Sequence, residues 1–363
     1  MKDSISGNVS NLFCGVWRIA QGRRGSQYGA IGQDGALVLC SCRRTIEATL
    51  VIILALYSVA PAALGQTKEM TRIRIANPGP SLSYFPVYVA LKKDLFKKYG
   101  IDAEFVQMTS GPTSVAALMN REIDYTTLLG PSAGAAVNGA PIKIICFTSV
   151  KLQHSIIARP EIHSVKELSG KKIGVGRLRD LTWYEVQFLI KKYDLQNTTI
   201  VAGGQNQRNL QAVQAGALDA AVISVPLDIK AEEMGLRRLI RMGEILPIPQ
   251  VGLAASEDKI RKNRDEVIRV LKATIEGLGY IKSNRQDVVE IISKWINLTP
   301  AQAEKAFASV EDTFSRDCIP TAEQANAYLP MLKVTTEAKE DIAPATVFSF
   351  SLAEAAAKEL SKK

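Results

Sequence analysis

The chain has 363 residues, of which 47% are hydrophobic and 22% are charged, and its formal net charge is +9. This composition is typical of a globular protein and excludes a mainly disordered chain. The length suffices for two lobes, each with its own packed sheet, or for one large domain. Basic and acidic residues are interspersed, without basic runs among aromatic residues, so we expect no nucleic-acid partner.

The N-terminal segment has the pattern of an export signal. Two arginines precede an apolar run over residues 50–60, and a stretch of small residues ends at Gly65. This order is typical of a secretory signal peptide, and the apolar run is shorter than the roughly 20 residues that span a bilayer. We therefore expect residues 1–65 to be a leader, cleaved near Gly65 and Gln66, and the remainder to be periplasmic.

Cysteine and histidine usage argues against a metal centre. Three of the five Cys lie in the predicted leader, which leaves Cys146 in an apolar run and Cys318 further on. We expect these two to be unpaired thiols rather than a disulfide, because a sequence alone gives no connectivity. The chain has only two His and no cluster with the spacing of zinc ligands, so we expect no metal and no cofactor.

From residue 71 onward, short strand-like runs alternate with amphipathic helical segments. The predicted strands cover residues 71–76, 101–108, 124–130, 141–149, 171–176, 198–203 and 220–225. The predicted helices between them cover residues 86–100, 112–123, 131–139, 180–195, 206–216 and 226–235. Strands separated by helices of this length indicate parallel pairing in βαβ units.

The same order of elements occurs twice along the chain. Asp124 and Asp219 are 95 positions apart, as are Pro131 and Pro226. Each Asp precedes a strand-like run, and each Pro is suited to the start of the next helix. We interpret the two halves as one structural plan used twice, with one lobe facing the other.

The fold class that this pattern predicts is α/β, with two lobes that each contain a mostly parallel sheet flanked by helices. A strand in residues 247–260 is expected to return to the first lobe. The first lobe would comprise residues 71–152 and 249–363, and the second lobe residues 153–248. Two crossover segments would join them.

The C-terminal part is predicted to be a helical tail on the first lobe. Its helices cover residues 263–283, 285–297, 299–310 and 321–333. Thr299 and Thr321 are suited to cap the last two of these helices. One stripe has the spacing of a helix face buried in a core, and consists of Val267, Val270, Leu271 and Leu278.

Ligands of open α/β sheets bind beyond the carboxyl ends of the strands. The loops at these ends cover residues 77–85, 109–114, 130–134, 176–184, 203–208 and 224–228. They are rich in residues that offer hydroxyl and backbone N–H groups, and converging helix N-termini favour an anion. Side chains that could add contacts are Tyr84, Arg177, Arg179, Trp183, Tyr184, Gln205 and Ser224.

Two residues near the predicted cleft have alternative roles. For Asp228 we favour a cap at the N-terminus of its own helix over a ligand contact. Gln153 and His154 lie where the chain would cross between lobes. For His154 we favour a structural role, although a hinge residue also borders the cleft and is a candidate ligand contact.

The sequence contains no motif that indicates catalysis. A nucleophile elbow, a GxxxxGK phosphate loop, an HExxH pair and a paired-Cys motif are all missing from it. We therefore expect a protein that is not an enzyme.

Three motifs resemble a known family. YFPVYVALKKDLFKKYGIDAEFV (residues 84–106), SGPTSVAALMNREIDY (residues 110–125) and VKELSGKKIGVG (residues 165–176) are similar to segments of periplasmic substrate-binding proteins of ABC importers. The members that they resemble belong to importers for nitrate, sulfonates, taurine and thiamine-precursor pyrimidines. The similarity covers residues 71 to about 282, and the helical tail matches in kind only.

The resemblance implies a bilobal, type II binding-protein fold that closes on a small molecule and delivers it to a membrane permease. It implies ligand contacts at Ser81, Tyr84, Ser110, Gly111, Gly130, Ser132, Thr182, Trp183 and Gln205. The loop at residues 176–180 carries two Arg where the family has a small Gly/Ser-rich turn. We expect a monomer. The alternatives are an exported sensor that passes its closed state to a receptor, and a dehydratase-type enzyme on the same fold.

Overall fold

The computed structural model describes residues 69–362, and the predicted leader with its cleavage site lies outside these described residues. Within this range the strands form two five-stranded sheets with helices packed around them. The α/β class with two sheets is therefore confirmed. None of the helices in residues 69–362 combines the length and the apolar character that a membrane crossing requires.

The first sheet has the strand order β2-β1-β3-β10-β4. Its parallel strands are β1 (Thr71–Asn77), β2 (Ile101–Gln107) and β3 (Tyr125–Thr126). Strand β10 (Val251–Ser256) lies antiparallel between β3 and β4 (Ile142–Ser149). A strand from the predicted return segment thus completes this sheet.

The second sheet has the strand order β7-β6-β8-β5-β9. Strand β6 (Lys172–Val175) pairs in parallel with β7 (Thr199–Ala202) and β8 (Ala220–Ser224). Strand β5 (His154–Ala158) lies antiparallel between β8 and β9 (Arg237–Arg241). Because β5 holds the position that β10 holds in the first sheet, the two sheets have the same arrangement.

The repeated aspartates make the same contacts in the two sheets. Asp124 Oδ2 accepts the backbone N–H of Arg74 at 2.8 Å, and Asp219 Oδ2 accepts the backbone N–H of Lys172 at 2.8 Å. Each carboxylate thereby joins the start of one strand to its parallel neighbour, at the middle of β1 for Asp124 and at the start of β6 for Asp219. The repeat in the sequence therefore corresponds to a repeated structural unit.

Helices pack around both sheets, and several are only one turn long. In chain order they are α1 (Phe85–Lys92), α2 (Leu95–Lys98), α3 (Gly111–Met119), α4 (Leu129–Val137), α5 (Leu181–Tyr193), α6 (Asn206–Gln214), α7 (Leu227–Glu233), α8 (Met242–Ile245), α9 (Glu257–Lys262), α10 (Arg264–Ser283), α11 (Arg285–Trp295), α12 (Pro300–Ala308), α13 (Ala322–Thr336), α14 (Pro344–Val347) and α15 (Ser351–Leu360). Short 3-10 helices cover Leu82–Tyr84, Val165–Leu168 and Glu311–Thr313.

The predicted caps and the predicted core stripe are both confirmed. Thr299 and Thr321 each form a capping box with the Gln three residues later, which satisfies two backbone N–H groups at each helix start. The stripe on α10, from Val267 to Leu278, is fully buried at its four predicted positions. Burial of one such side chain contributes roughly 1.5–3 kcal/mol, so the stripe fixes α10 against the first sheet.

Two predicted elements are shorter than the sequence suggested. The helix predicted over residues 86–100 is divided into α1 and α2, because Asp94 adopts a left-handed backbone conformation with φ 54°. The strand predicted over residues 124–130 has only two residues, because α4 already begins at Leu129.

The prediction of two unpaired thiols is wrong, because Cys146 and Cys318 form a disulfide bond. The segment that carries Cys318 runs beside β4: the N–H of Phe147 donates to the carbonyl of Cys318 at 2.9 Å, and Ser149 bridges to Phe314. This pairing places the two Cα atoms 4.7 Å apart, within the range that a disulfide allows.

Candidate ligand-binding site

A cavity of about 470 Å³ lies where loops of the two sheets meet. The loop after β1, over residues 78–84, forms one side of the cavity. The end of β8 and the start of α7, over residues 224–230, form the opposite side. His154, Gln250 and Ile296 complete the lining together with Gln107 and Asn206. Its position at the carboxyl ends of β1 and β8 is the position expected for a ligand site in open α/β sheets.

The first-sheet side of the cavity presents hydroxyl groups. Ser81 is the N-cap of the 3-10 helix that follows, and its Oγ accepts the N–H of Ser83 at 3.4 Å. Tyr84 follows one turn later. Burial raises the pKa of Tyr84 to about 12, so its phenol stays protonated at neutral pH and can donate a hydrogen bond.

The second-sheet side carries the positive charge of the cavity. Lys230, in α7, lines it, and none of the described lining residues is an Asp or a Glu. On the same side Nδ2 of Asn206 donates to Oγ of Ser224 at 2.6 Å, which orients the hydroxyl group at the end of β8. An ammonium group without a carboxylate beside it favours an anion in this cavity.

His154 combines the structural role that was predicted with a position at the cavity. Its Nδ1 lies 2.7 Å from Oε1 of Glu185, and its Nε2 lies 3.0 Å from Nε2 of Gln250. Burial alone would lower the pKa of His154, but the charge of Glu185 and its hydrogen bond outweigh burial and raise it. Burial also raises the pKa of the Glu185 carboxyl, and His154 opposes this effect.

Asp228 is held within the second-sheet region. Its Oδ1 accepts the N–H of Ile229 at 2.8 Å in the first turn of α7. Its Oδ2 accepts the hydroxyl of Ser155 at 2.8 Å and lies 3.3 Å from Nη2 of Arg238. The cap that was favoured for Asp228 is wrong, because Pro226 holds the N-cap position of α7 and no side chain caps this helix. Asp228 also does not line the cavity.

Of the residues predicted to contact a ligand, Ser81, Tyr84, His154 and Ser224 line the cavity. The other predicted residues are not among the lining of this cavity. Among these, Ser110 caps α3, Oγ of Ser132 donates to the carbonyl of Leu128 at 2.9 Å, and Arg179 pairs with Glu337 at 2.6 Å.

Some of the remaining predicted residues also have structural contacts. Thr182 donates to Oδ1 of Asp180 at 2.7 Å, and Asp180 accepts the N–H of Trp183 at 2.9 Å. Gln205 is the residue before α6. A Cβ at Gly111 would overlap the ring of Pro131, so this glycine allows α3 and α4 to approach. Space around Gly130 is open.

Sequence reasoning missed several residues that line the cavity, chiefly Lys230, Gln107, Asn206 and Gln250. One signal for Lys230 was present. It lies four positions after Pro226, in the helix that a predicted ligand loop opens, so one helical turn separates it from that loop.

Other proteins share sequence and fold with this chain. A binding protein of Brucella abortus (strain 2308) is 27% identical over 224 residues, which are 60% of this chain and 69% of the relative. The alkanesulfonate-binding protein SsuA of Xanthomonas axonopodis pv. citri, solved with MOPS, has a TM-score of 0.63 at 18% identity over 77% of this chain and 98% of SsuA.

Two further structures show how widely this fold is used. The periplasmic nitrate-binding protein NrtA of Synechocystis PCC 6803 has a TM-score of 0.63 at 13% identity, over 81% of this chain and 90% of NrtA. The desulfurization enzyme DszB has a TM-score of 0.62 at 11% identity, over 80% of this chain and 99% of DszB. At such identities the likeness shows the periplasmic binding protein fold alone.

The family assignment comes from the sequence itself. The pattern described as NMT1/THI5-like matches residues 82–287, which includes both sheets except for β1. It also includes the residues that line the cavity apart from residues 78–81 and Ile296. The chain therefore belongs to the NMT1/THI5-like family.

Proposed function

We propose that this protein is a periplasmic solute-binding protein that captures a small anionic organic molecule and delivers it to an ABC permease. The predicted signal peptide supports export, and the membership of the NMT1/THI5-like family supports a binding role. The names of the Brucella relative and of SsuA and NrtA agree with that role.

One observation carries the choice of ligand class. The cavity has a lysine and no carboxylate among its described lining residues, and the rest of its lining is divided between polar and apolar groups. The apolar contribution comes from Pro78, Pro80, Val225, Pro226, Leu227 and Ile296. A ligand with one acidic group and a small apolar body complements this lining, whereas an ammonium group on the ligand would find no carboxylate among the described lining residues.

Capture would occur by closure of two lobes built on the two sheets. The chain passes between the sheets twice, from Ser149 to His154 and from Ile245 to Val251. The two segments lie side by side, because the N–H of Gln250 donates to the carbonyl of Ser149 at 3.0 Å. A hinge at these segments would change the width of the cavity, and a ligand that contacts both sides would favour the closed form.

A thermal-shift measurement on the purified protein tests this function. The panel consists of nitrate, alkanesulfonates, short carboxylates, aromatic acids and, as a neutral class, pyrimidines. A ligand at about 100 times its dissociation constant adds roughly 2.7 kcal/mol to the free energy of unfolding, which raises the midpoint by several degrees. A saturable rise with acids and none with neutral compounds supports the proposal. A rise with neutral compounds alone contradicts the anionic ligand class.

The fold of DszB favours an enzyme as the second candidate. Recovery of the bound compound distinguishes the two functions. A binding protein returns its ligand chemically unchanged after prolonged incubation, and mass spectrometry then finds only the starting compound. Conversion of the compound by the protein would contradict the binding function.

A further inference from the structure

A hydrogen-bonded chain of three side chains joins the two segments that connect the sheets. His154 begins β5 and Gln250 precedes β10, so each belongs to one connecting segment. The ring of His154 bridges from Glu185 in α5, at 2.7 Å, to Gln250, at 3.0 Å. The side chain of His154 is 10% exposed and that of Glu185 is fully buried. Both His154 and Gln250 line the cavity.

A backbone contact determines which atoms of this chain carry protons. The N–H of Gln153 donates to Oε1 of Gln250 at 2.8 Å. A backbone N–H can only donate, so the amide oxygen of Gln250 must face it, and the amide NH2 must face His154. That NH2 group needs an acceptor, which requires an Nε2 without a proton. The ring proton therefore lies on Nδ1, and His154 is neutral while it donates to Glu185.

The charges around His154 favour a second proton, which the Gln250 amide opposes. Carboxylates near the ring, with Glu185 foremost, outweigh the effect of burial and raise the pKa of His154. Positive charge lies nearby as well. The charged groups that face this region are Glu185 and Asp180 from α5, Asp228 and Lys230 from α7, and Arg238 and Arg241 from β9.

We propose that protonation of His154 at Nε2 removes one of the hydrogen bonds that join the two connecting segments. The protonated ring would present a donor to the NH2 group of Gln250, so these two groups can no longer bond. If the amide turns to offer its oxygen to the ring, the N–H of Gln153 loses its acceptor instead. In both cases a hydrogen bond between the segments breaks. The two connecting segments, which lie beside the cavity, are thus held by fewer hydrogen bonds in acid.

Nuclear magnetic resonance of the full-length protein, labelled with ¹⁵N, tests this inference. The chain has two His, and the exposed His163 serves as an internal reference. At about pH 9, well above the ordinary pKa of His, we expect the ring of His154 to carry its proton on Nδ1. On acidification the ring gains a proton on Nε2. Over the same pH interval, exchange of the Gln153 amide, corrected for intrinsic rates, should accelerate about fivefold.

Two results would overturn the inference. One is a proton on Nε2 of His154 at about pH 9, above the ordinary range of His, and the other is protonation without any change in Gln153 exchange. The variant Gln250→Glu provides a second test, because a carboxylate accepts from both Nε2 and the Gln153 N–H. It should keep His154 protonated and remove the pH dependence of exchange, whereas His163→Gln should change neither. The test uses no ligand, so its failure is distinct from failure of the proposed function.

Discussion

At the scale of single residues, Lys230 is the group on which the proposed anion site depends. We predict that Lys230→Gln weakens binding of an acidic ligand by about 10- to 100-fold, because a charge-assisted hydrogen bond contributes roughly 1.5–3 kcal/mol. Isothermal titration calorimetry with the best acid from the thermal-shift panel measures the change. Lys191→Gln is the matched control, since Lys191 is exposed on α5 and does not line the cavity. Equal affinities for Lys230→Gln and the parent would contradict the assignment.

The cavity contains residues that the sequence predicted and others, such as Lys230, that it did not. Ser81, Tyr84 and Ser224 were predicted because they lie in loops at the carboxyl ends of strands, and the topology of the sheets brings these ends together. Lys230 was missed, because a lysine inside a short amphipathic helix has the pattern of a solvated side chain. Only the packing of α7 against the opposite loop places it at the cavity.

At the scale of elements, the capping boxes give a direct test of local structure. We predict that Thr321→Ala lowers the free energy of unfolding by about 1 kcal/mol, because the start of α13 loses its side-chain acceptor. Denaturant unfolding followed by circular dichroism measures the loss. Thr321→Ser retains the hydroxyl and should preserve most of the stability. A loss of equal size in both variants would contradict the capping explanation.

Acid should weaken the corner at which α1, α10 and α11 meet. Asp287 Oδ2 lies 2.7 Å from the ammonium of Lys93 and accepts the hydroxyl of Tyr280 at 2.7 Å. The hydrogen bond from Lys93 comes first among the causes that hold the pKa of Asp287 below its usual value. A depressed carboxyl pKa contributes stability above the unfolded-state pKa, and that stability is lost as the pH falls through the folded-state value.

We therefore predict that the parent protein loses stability more steeply below about pH 4, the ordinary range of Asp, than Asp287→Asn does. Chemical unfolding at a series of pH values between about 5 and 2.5 measures the two slopes. Asp102→Asn is the control, because Asp102 lies exposed on β2. The prediction is wrong if the Asp287→Asn and Asp102→Asn curves have the same slope in acid.

Elements with strong periodicity were predicted well, and those decided by tertiary contacts were not. Strands β1, β2, β4 and β6 and the long helix α10 lie close to their predicted bounds. Strand β9 was missed, since its sequence RRLIR has charges that suit an edge strand but also suit a loop. Strand β5 was left unassigned, and α15 lies beyond the last predicted helix. The break at Asp94 depends on one left-handed residue.

At the scale of the whole molecule, the disulfide joins parts of the chain that are 172 residues apart. We predict that the double variant Cys146→Ala/Cys318→Ala has a free energy of unfolding about 2–5 kcal/mol lower than that of the oxidised parent. This is the range for loss of a native disulfide. Calorimetry of the oxidised parent and the variant measures the difference. Reductant should lower the midpoint of the parent and leave the variant unchanged. A stabilising role would be contradicted if the parent had the same unfolding midpoint as the variant and if reductant did not change it.

Synthesis from the N-terminus completes the two sheets in a different order from the one in which it begins them. All five strands of the second sheet lie in one stretch, from β5 to β9, whereas the first sheet has four strands before that stretch and β10 after it. Strand β4 therefore has no strand neighbour in its sheet until β10 has been made. During this interval its apolar run must stay unpaired, and unpaired strand edges are prone to aggregation. The sheet that begins first is thus completed last, and the chain can finish its second sheet while the first still lacks β10.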